Sequence, residues 1–319
     1  MLFPKMSSWI DIGPSVQAAL ESKGAVVALE SSIIANGLPF PHNIETAFSC
    51  EAAVREHGAV PATIGVIDGR VVVGLSGSQI EMLGSPRKEV FKAASQDLPA
   101  VLASKGNAAT TVSATMALSQ LVGVDVFATG GIGGVHRDFE HTCDMSTDLT
   151  QLARCSMTVV CSGAKSILDL PKTLEMLETL GVLVCGFQTH DLPAFYSRSC
   201  GLKVHHKFDA ASDVADCMQI QRALAQRSAL LLLNPPPLEH ALEFDVIESA
   251  IHEALREARI KEIKGKAVTP FLLSRLEGLT LGRTLAANKA LVKSNAKLAA
   301  EVAIAWARVR VQARVQARA

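Results

Sequence analysis

Asp125-Val-Phe-Ala-Thr-Gly-Gly-Ile-Gly-Gly134 is the stretch on which the reading of the fold turns. Val126, Phe127 and Thr129 have the branched and aromatic side chains of a strand, and that strand runs without a linker into a glycine-rich loop. A short helix reads over 148–154. A second apolar run follows over 158–161 and ends in a loop of its own, Ser162-Gly-Ala-Lys165. Strand, loop, helix and strand in that order form the unit of a parallel sheet.

The alternation continues outward. Upstream, residues 24–29 read as a buried strand. Asn43 reads as the N-cap of a helix in which Ile44, Ala47, Phe48 and Val54 recur at helical spacing until Gly58. Runs over 62–67 and 70–75 flank Asp68-Gly69, a hairpin signal. Residues 82–94 and 109–121 read as helices. Downstream, strands are expected over 183–186 and 230–233, with helices over 174–180, 211–227, 239–260 and 285–311. The expected architecture is a single-domain, three-layer α/β/α fold with a mixed, mostly parallel sheet. The domain would span 1–305, with 306–319 a basic C-terminal tail in which Val-Gln-Ala-Arg occurs twice.

Composition narrows the function. Of 319 residues, 49% are hydrophobic and 19% charged, enough for a sizeable core. Lys plus Arg and Asp plus Glu both number 31, which argues against a nucleic-acid partner while leaving room for a small cationic pocket. No apolar run nears the ~20 residues that span a bilayer, and no charged segment followed by an apolar core suggests a secretory leader. Seven cysteines, none in Cys-x-x-Cys, read as reduced, mostly buried thiols of a cytoplasmic protein.

Several familiar motifs fail. The glycine cluster has His136 where a dinucleotide fingerprint needs its third glycine. Gly265-Lys266 lacks the upstream glycine of a phosphate-binding loop, and Gly74-Leu-Ser-Gly-Ser78 misses the nucleophile elbow at its last residue.

The strand ends carry the remaining chemistry, because ligands of α/β sheets bind there. Glu30 leaves an apolar strand and is a candidate general acid, or a carboxylate in solvent or paired with a helix terminus. Lys165 follows a buried strand by a three-residue turn. Its amine is a candidate Schiff-base nucleophile, or a side chain reaching to the rim. Beyond Thr129, the glycines can form an anion nest. Ser146 and Thr147 open a helix suited to phosphate, and Asp144 is a hard oxygen ligand suited to Mg²⁺ or Mn²⁺ through waters, or one of them simply caps the helix. Lys92 lies on an expected helix beside Arg87 and Lys88, where a solvated basic face is the plain explanation. Asn288 sits on a helix that Asn disfavours, and either reads a planar amide-bearing ligand, caps or faces water. His205 and His206, adjacent on a strand edge, point opposite ways and do not suit a shared metal.

Taken together, these segments resemble the pseudouridine-5′-phosphate glycosidase family, also known as indigoidine-synthase-A-like proteins. The likeness lies in residues 28–47 (beginning Ala-Leu-Glu-Ser-Ser), 61–69, Val126-Phe-Ala-Thr-Gly-Gly-Ile-Gly-Gly-Val-His-Arg137, Cys161-Ser-Gly-Ala-Lys-Ser-Ile-Leu-Asp-Leu-Pro171, Pro193-Ala-Phe-Tyr196 and Thr269-Pro-Phe-Leu-Leu273. It covers about residues 16 to 305. Cys143-Asp-Met-Ser-Thr-Asp148 stands where the family reads Phe-Asp-Ile-Ser-Ala-Asp, and 197–209 matches weakly.

The resemblance implies a homotrimer with one divalent metal per subunit, typically Mn²⁺, and reversible cleavage of pseudouridine 5′-phosphate to uracil and ribose 5-phosphate. Motif by motif, Glu30 would be the proton donor, Lys165 the nucleophile and Asp144 the metal ligand. Lys92, Val112, Ser146, Thr147 and Asp148 would bind substrate, Asn288 would face the uracil, and His136 would stand beside them. The C1′–C5 bond demands such a site, because carbon is a poor leaving group: a lysine adduct on the opened ribose supplies the electron sink and an acid protonates C5. Two alternatives stand beside this reading: another Schiff-base phosphosugar lyase or aldolase, and a non-catalytic sugar-phosphate binding protein.

Overall fold

The computed structural model of the chain describes residues 9–87, 90–263 and 268–316. Its elements are β1 (Ile10–Ile12), α1 (Pro14–Glu21), β2 (Val26–Leu29), α2 (His42–Glu56), β3 (Val60–Ile67), β4 (Arg70–Val73), α3 (Gly77–Gly84), β5 (Phe91–Ala93), α4 (Leu98–Ala103), β6 (Ala108–Thr110), α5 (Val112–Val122), β7 (Val126–Ala128), α6 (Phe139–Thr142), α7 (Thr147–Leu152), β8 (Thr158–Cys161), α8 (Leu170–Thr179), β9 (Leu183–Phe187), β10 (His206–Phe208), α9 (Ala211–Ala223), β11 (Leu230–Leu233), α10 (Phe244–Ile260), α11 (Val268–Leu279) and α12 (Arg283–Gln316).

Seven neighbouring strands run parallel in the order β3-β2-β7-β8-β11-β9-β10. β3 belongs to two sheet regions. Its first half pairs with β2, and its second half pairs antiparallel with β4 and β6, to which β1 and β5 attach. The hairpin turns at Asp68 and Gly69, both at positive φ (48° and 73°), as its dipeptide predicts. Every residue of β2, β8 and β11 is buried. Strands buried on both faces need helices on both faces, which gives the three layers expected of the sequence. α12 lies between α2 and α9 and against β7 and β8, while α5 and α7 pack on each other.

Connections leave the sheet in opposite directions at its centre. From β2 the chain goes to β3 on one side, and from β7 it goes to β8 on the other. The crevice between β2 and β7 is therefore a topological switch point, where α/β sheets open a ligand site.

Four expectations change. The helix expected over 82–94 ends at Gly84, because Pro86 disfavours a helical Ser85, which is extended (ψ 129°). Lys92 thus lies on strand β5, not on a helix, and residues 88–89 are outside the described set. The helix expected from 109 starts at Val112, since Ala108–Thr110 is a strand between β3 and β5. Asn43 is inside the first turn of α2 and not at its N-cap, which is Pro41; its Oδ1 accepts from Ile44 N (2.9 Å), and its Nδ2 donates to Ile34 O (2.6 Å) and Gly84 O (3.0 Å), tying three segments together. Finally, α12 runs through the boundary expected at 305/306. Trp306 is buried and donates to Asp125 Oδ2 (2.8 Å), and Arg310 bonds the same oxygen (3.1 Å) and the carbonyls of Lys23 and Gly24. The basic stretch begins as packed helix; residues 317–319 lie outside the described set.

Candidate functional site

Three adjacent strands bring together residues far apart in sequence. Leu29 pairs with Ala128, and Ala128 with Val160, so Glu30 and Thr129 leave β2 and β7 side by side, and Ser162, one residue further along from β8, donates its N–H to Gly130 O (2.9 Å). Beyond Ser162, Gly163 turns at φ 88°, a conformation open to glycine at little cost, and aims the chain back along the glycine loop. Lys165 N then donates to Ile132 O (3.1 Å), and an isolated bridge joins Ile132 to Ala164. The backbone of Lys165 is pinned, so the origin of its side chain is fixed.

Glu30 is held as firmly. Ser32 Oγ donates to one carboxyl oxygen and Thr129 Oγ1 to the other. Thr129 is itself buried, and Asn295 Nδ2 donates to its carbonyl (2.8 Å). Asn295 also bonds Ser162 and accepts from Asn234 Nδ2 (3.0 Å), which links the ends of β7, β8 and β11 through one fully buried amide on α12.

Two adjoining hollows share a wall formed by Glu30, Ser32, Lys92 and Lys165. The wide one, about 350 Å³, is also lined by Val112, His136, Asp144, Ser146, Thr147 and Asp148. The narrow one, about 50 Å³, is lined on its far side by Asn36, Phe195, Leu273 and Asn288. Every residue singled out from the sequence for chemistry or binding therefore borders one connected space. Asn288 neither caps a helix end nor faces water: it is 7% exposed, and its Oδ1 has no partner.

The glycine cluster does a different task from the one expected. None of residues 130–134 has a positive φ, and Ile132 N and Gly133 N donate to protein oxygens, so no anion nest forms there. The glycines permit close packing instead. A Cβ on Gly131 would sit 2.5 Å from Phe195 Cδ2, and one on Gly133 would sit 2.5 Å from Ser146 Cβ. Asp148 likewise borders the hollow with a committed carboxylate. It is 5% exposed, and its two oxygens accept from Ser113 N (2.9 Å) and Gly133 N (2.8 Å). Val112 is buried and borders the hollow at the start of α5.

Asp144 keeps its carboxylate 45% exposed at the rim, 3.9 Å from His136 Nδ1. Burial holds the His136 imidazole below its ordinary value. Asp144 opposes that effect, and Lys165 and Lys92 add to it. Among the described residues no three His, Cys, Asp or Glu side chains group as a metal site. All seven cysteines are free; Cys143 is exposed, and Cys200 and Cys217 are half-buried, so the expectation of buried thiols holds for the other four.

Sequence reasoning missed the clamps Ser32, Thr129 and Asn295. Ser32 was legible as the second residue after Glu30. Asn295 follows Asn288 by seven residues, two turns along one helix face.

A polar hollow at the switch point of a mostly parallel sheet, walled by an amine and a hydrogen-bonded carboxylate, defines a small-molecule site of the α/β class. The chain belongs to the family of indigoidine synthase A like proteins, whose family model matches residues 15–305. It is 51% identical to the pseudouridine-5′-phosphate glycosidase of Caldanaerobacter subterraneus subsp. tengcongensis over 94% of this chain and 97% of that protein. It is 46% identical to the enzyme of the same name from Staphylococcus aureus, again over 94% and 97%. Among solved structures it is similar to the prealnumycin C-glycosynthase in complex with ribulose 5-phosphate, with a TM-score of 0.88 and 38% identity over 95% of this chain and 99% of that one. An indigoidine synthase A-like protein of Thermotoga maritima gives a TM-score of 0.86 and 37% identity over 94% and 97%.

Proposed function

We propose that the protein reversibly cleaves the C-glycosidic bond of pseudouridine 5′-phosphate, giving uracil and ribose 5-phosphate. The observation that carries the reading is the shared wall: Glu30 and Lys165 border both a wide polar hollow and a narrow one. The relatives bearing that activity in their names support it.

In this reading the sugar phosphate takes the wide hollow. Lys92, the hydroxyls of Ser146 and Thr147 and the Val112 N–H at the start of α5 face the phosphate. Uracil takes the narrow hollow, with its C5 toward Lys165 and an N–H toward the unpartnered Asn288 oxygen. Lys165 Nζ attacks C1′ and the ring oxygen leaves, taking a proton from Glu30. The ammonium formed at Lys165 then returns a proton to Glu30, which passes it to uracil C5. The nitrogen lone pair then expels the base as C1′–C5 breaks, and water hydrolyses the resulting imine to free ribose 5-phosphate and the amine. The hydroxyls on Glu30 hold it in place through these proton transfers. Asp148 acts from beneath, fixing the glycine loop and α5.

Asp144 suits a divalent cation, Mn²⁺ in the first instance, that is held by one carboxylate and keeps several waters, with His136 beside it. Such an ion would supply positive charge at the phosphosugar. A homotrimer and a cytoplasmic location complete the proposal; among the described residues no helix is long and apolar enough to cross a membrane.

C-glycoside synthesis is the same chemistry reversed, and the likeness to a C-glycosynthase favours it as a second reading. The test is incubation with pseudouridine 5′-phosphate and Mn²⁺, following uracil by its absorbance, with borohydride to trap a ribose-phosphate adduct. Uracil release separates this reaction from an aldolase, and an adduct separates it from a binding protein. Lys165→Ala should lose the adduct and all turnover while keeping its fold. Normal turnover in that variant ends the mechanism.

A further inference from the structure

The narrow hollow does not end at Asn288. Beyond it lies an outer hollow of about 270 Å³, and the two share Asn36, Gly37, Leu273 and Asn288. What stands between them is the end of the π-helical turn Ile33–Gly37, one leucine of α11 and one asparagine of α12. Ser274, Glu277 and Thr284 give the outer space a polar side, and Tyr196 and Leu285 an apolar one.

Asn288 stands at the junction. It is more than nine-tenths buried, borders both spaces, and its Oδ1 lacks a donor. A buried amide oxygen is left so at a cost unless a ligand brings an N–H or O–H to it. A uracil whose C5 faces Lys165 turns its opposite edge, N1–C2–N3, toward this junction. One N–H on that edge can satisfy Asn288. A group on the other nitrogen would run past Leu273 into the outer hollow.

We propose that the outer hollow is an annex of the base subsite, admitting uracils that carry a substituent on the edge remote from the ribose-linked carbon. The inference rests on the proposal that the base occupies the narrow hollow. In a closed pocket one surplus methylene costs roughly 10- to 200-fold in kcat/KM; the annex removes that cost.

The test uses the synthetic direction, with ribose 5-phosphate and either uracil, 1-ethyluracil or 3-ethyluracil. Each coupling joins C5 to C1′ and releases, in net, one water, made of the C5 hydrogen and the anomeric hydroxyl. At least one ethyluracil should couple with kcat/KM within about tenfold of uracil. Ser274 is exposed on α11 and borders only the outer hollow of the three, so Ser274→Trp fills that space from a surface position. It should lower the ratio of ethyluracil to uracil coupling by about tenfold or more, and Ser274→Ala should leave the ratio unaltered. Rejection of both ethyluracils by more than about tenfold while uracil couples overturns the annex. So does an unchanged ratio in a folded Ser274→Trp. Failure of uracil itself to couple overturns the reaction proposed above, and with it the subsite on which the annex depends.

Discussion

Asp144 and Asp148 stand four residues apart in one short segment, yet they belong to different parts of the molecule. Asp144 is on the rim of the wide hollow, nearly half exposed, with an imidazole 3.9 Å away. Asp148 is in the floor, 5% exposed, with a backbone N–H on each oxygen. The rim has charge to offer a ligand. The floor has spent its charge on protein, and that expenditure holds the glycine loop and the start of α5 where the site needs them. Carboxylate spacing alone does not distinguish the two tasks; burial and partners do.

Substitution separates them most strongly at the floor. Asp148→Ala leaves two N–H groups without their acceptor, each worth about 1–3 kcal/mol when buried. The melting temperature should fall by roughly 4–10 °C, measured without added metal. Asp144→Ala removes an exposed side chain and should shift it by no more than about 1 °C. A divalent ion should raise the melting temperature of the unaltered protein and not of Asp144→Ala. Equal melting of the two variants would erase the distinction between rim and floor.

The same distinction marks how far the sequence could be read. The strands that form the floor were legible, because β8 and β11 are continuous apolar runs and β7 ends visibly in glycine. So were Glu30 and Lys165, polar residues at apolar strand ends. What escaped was set by tertiary contact. The glycine cluster looks like a ligand cradle until Phe195 and Ser146 are seen filling the space above it. Lys92 reads as helical from local pattern, but Pro86 ends the preceding helix, and its strand exists only through pairing with β6. Asn43 has the composition of a cap and the position of a strut. Asn295 is invisible without the strand ends it joins. Local pattern identified the elements, and partners from distant parts of the chain decided what their polar residues do.

Thiol chemistry sharpens the contrast without altering the site. Cys143 is exposed on the rim, one residue before Asp144, while Cys161 ends β8 in the floor. Burial pushes the Cys161 thiol up to about 12, and burial does the same at Cys50. In the native protein at pH 8, iodoacetamide should label Cys143 first, with Cys50 and Cys161 following only on unfolding, as read by peptide mass spectrometry. Labelling of Cys161 at a rate like that of Cys143 would mean that the floor opens as readily as the rim.

The smallest expected effect concerns what fastens the rim. Asp169 caps α8 by accepting from Lys172 N (3.0 Å) and Lys172 Nζ (2.8 Å), and Lys172 also reaches Glu140 on α6 (3.3 Å). Burial acts to raise the Asp169 carboxyl, but the Lys172 hydrogen bonds outweigh it and hold the group below its ordinary value. A carboxyl depressed in the folded state adds stability that is fully present above its unfolded value, about 4, and is lost as pH falls through the folded one. Asp169→Asn keeps a good cap and removes the charge. It should lower the melting temperature at pH 7 by no more than about 2 °C, since exposed pairs are weak. That difference should shrink as pH falls below about 4 and through the depressed value of the folded protein, where the unaltered protein also loses the pair. The floor bonds of Asp148 to backbone N–H are buried and far less open to added salt, so the salt dependence of the two variants should differ as well. A deficit in Asp169→Asn that stays constant into acid would show that the rim is held by the cap geometry and not by its charge.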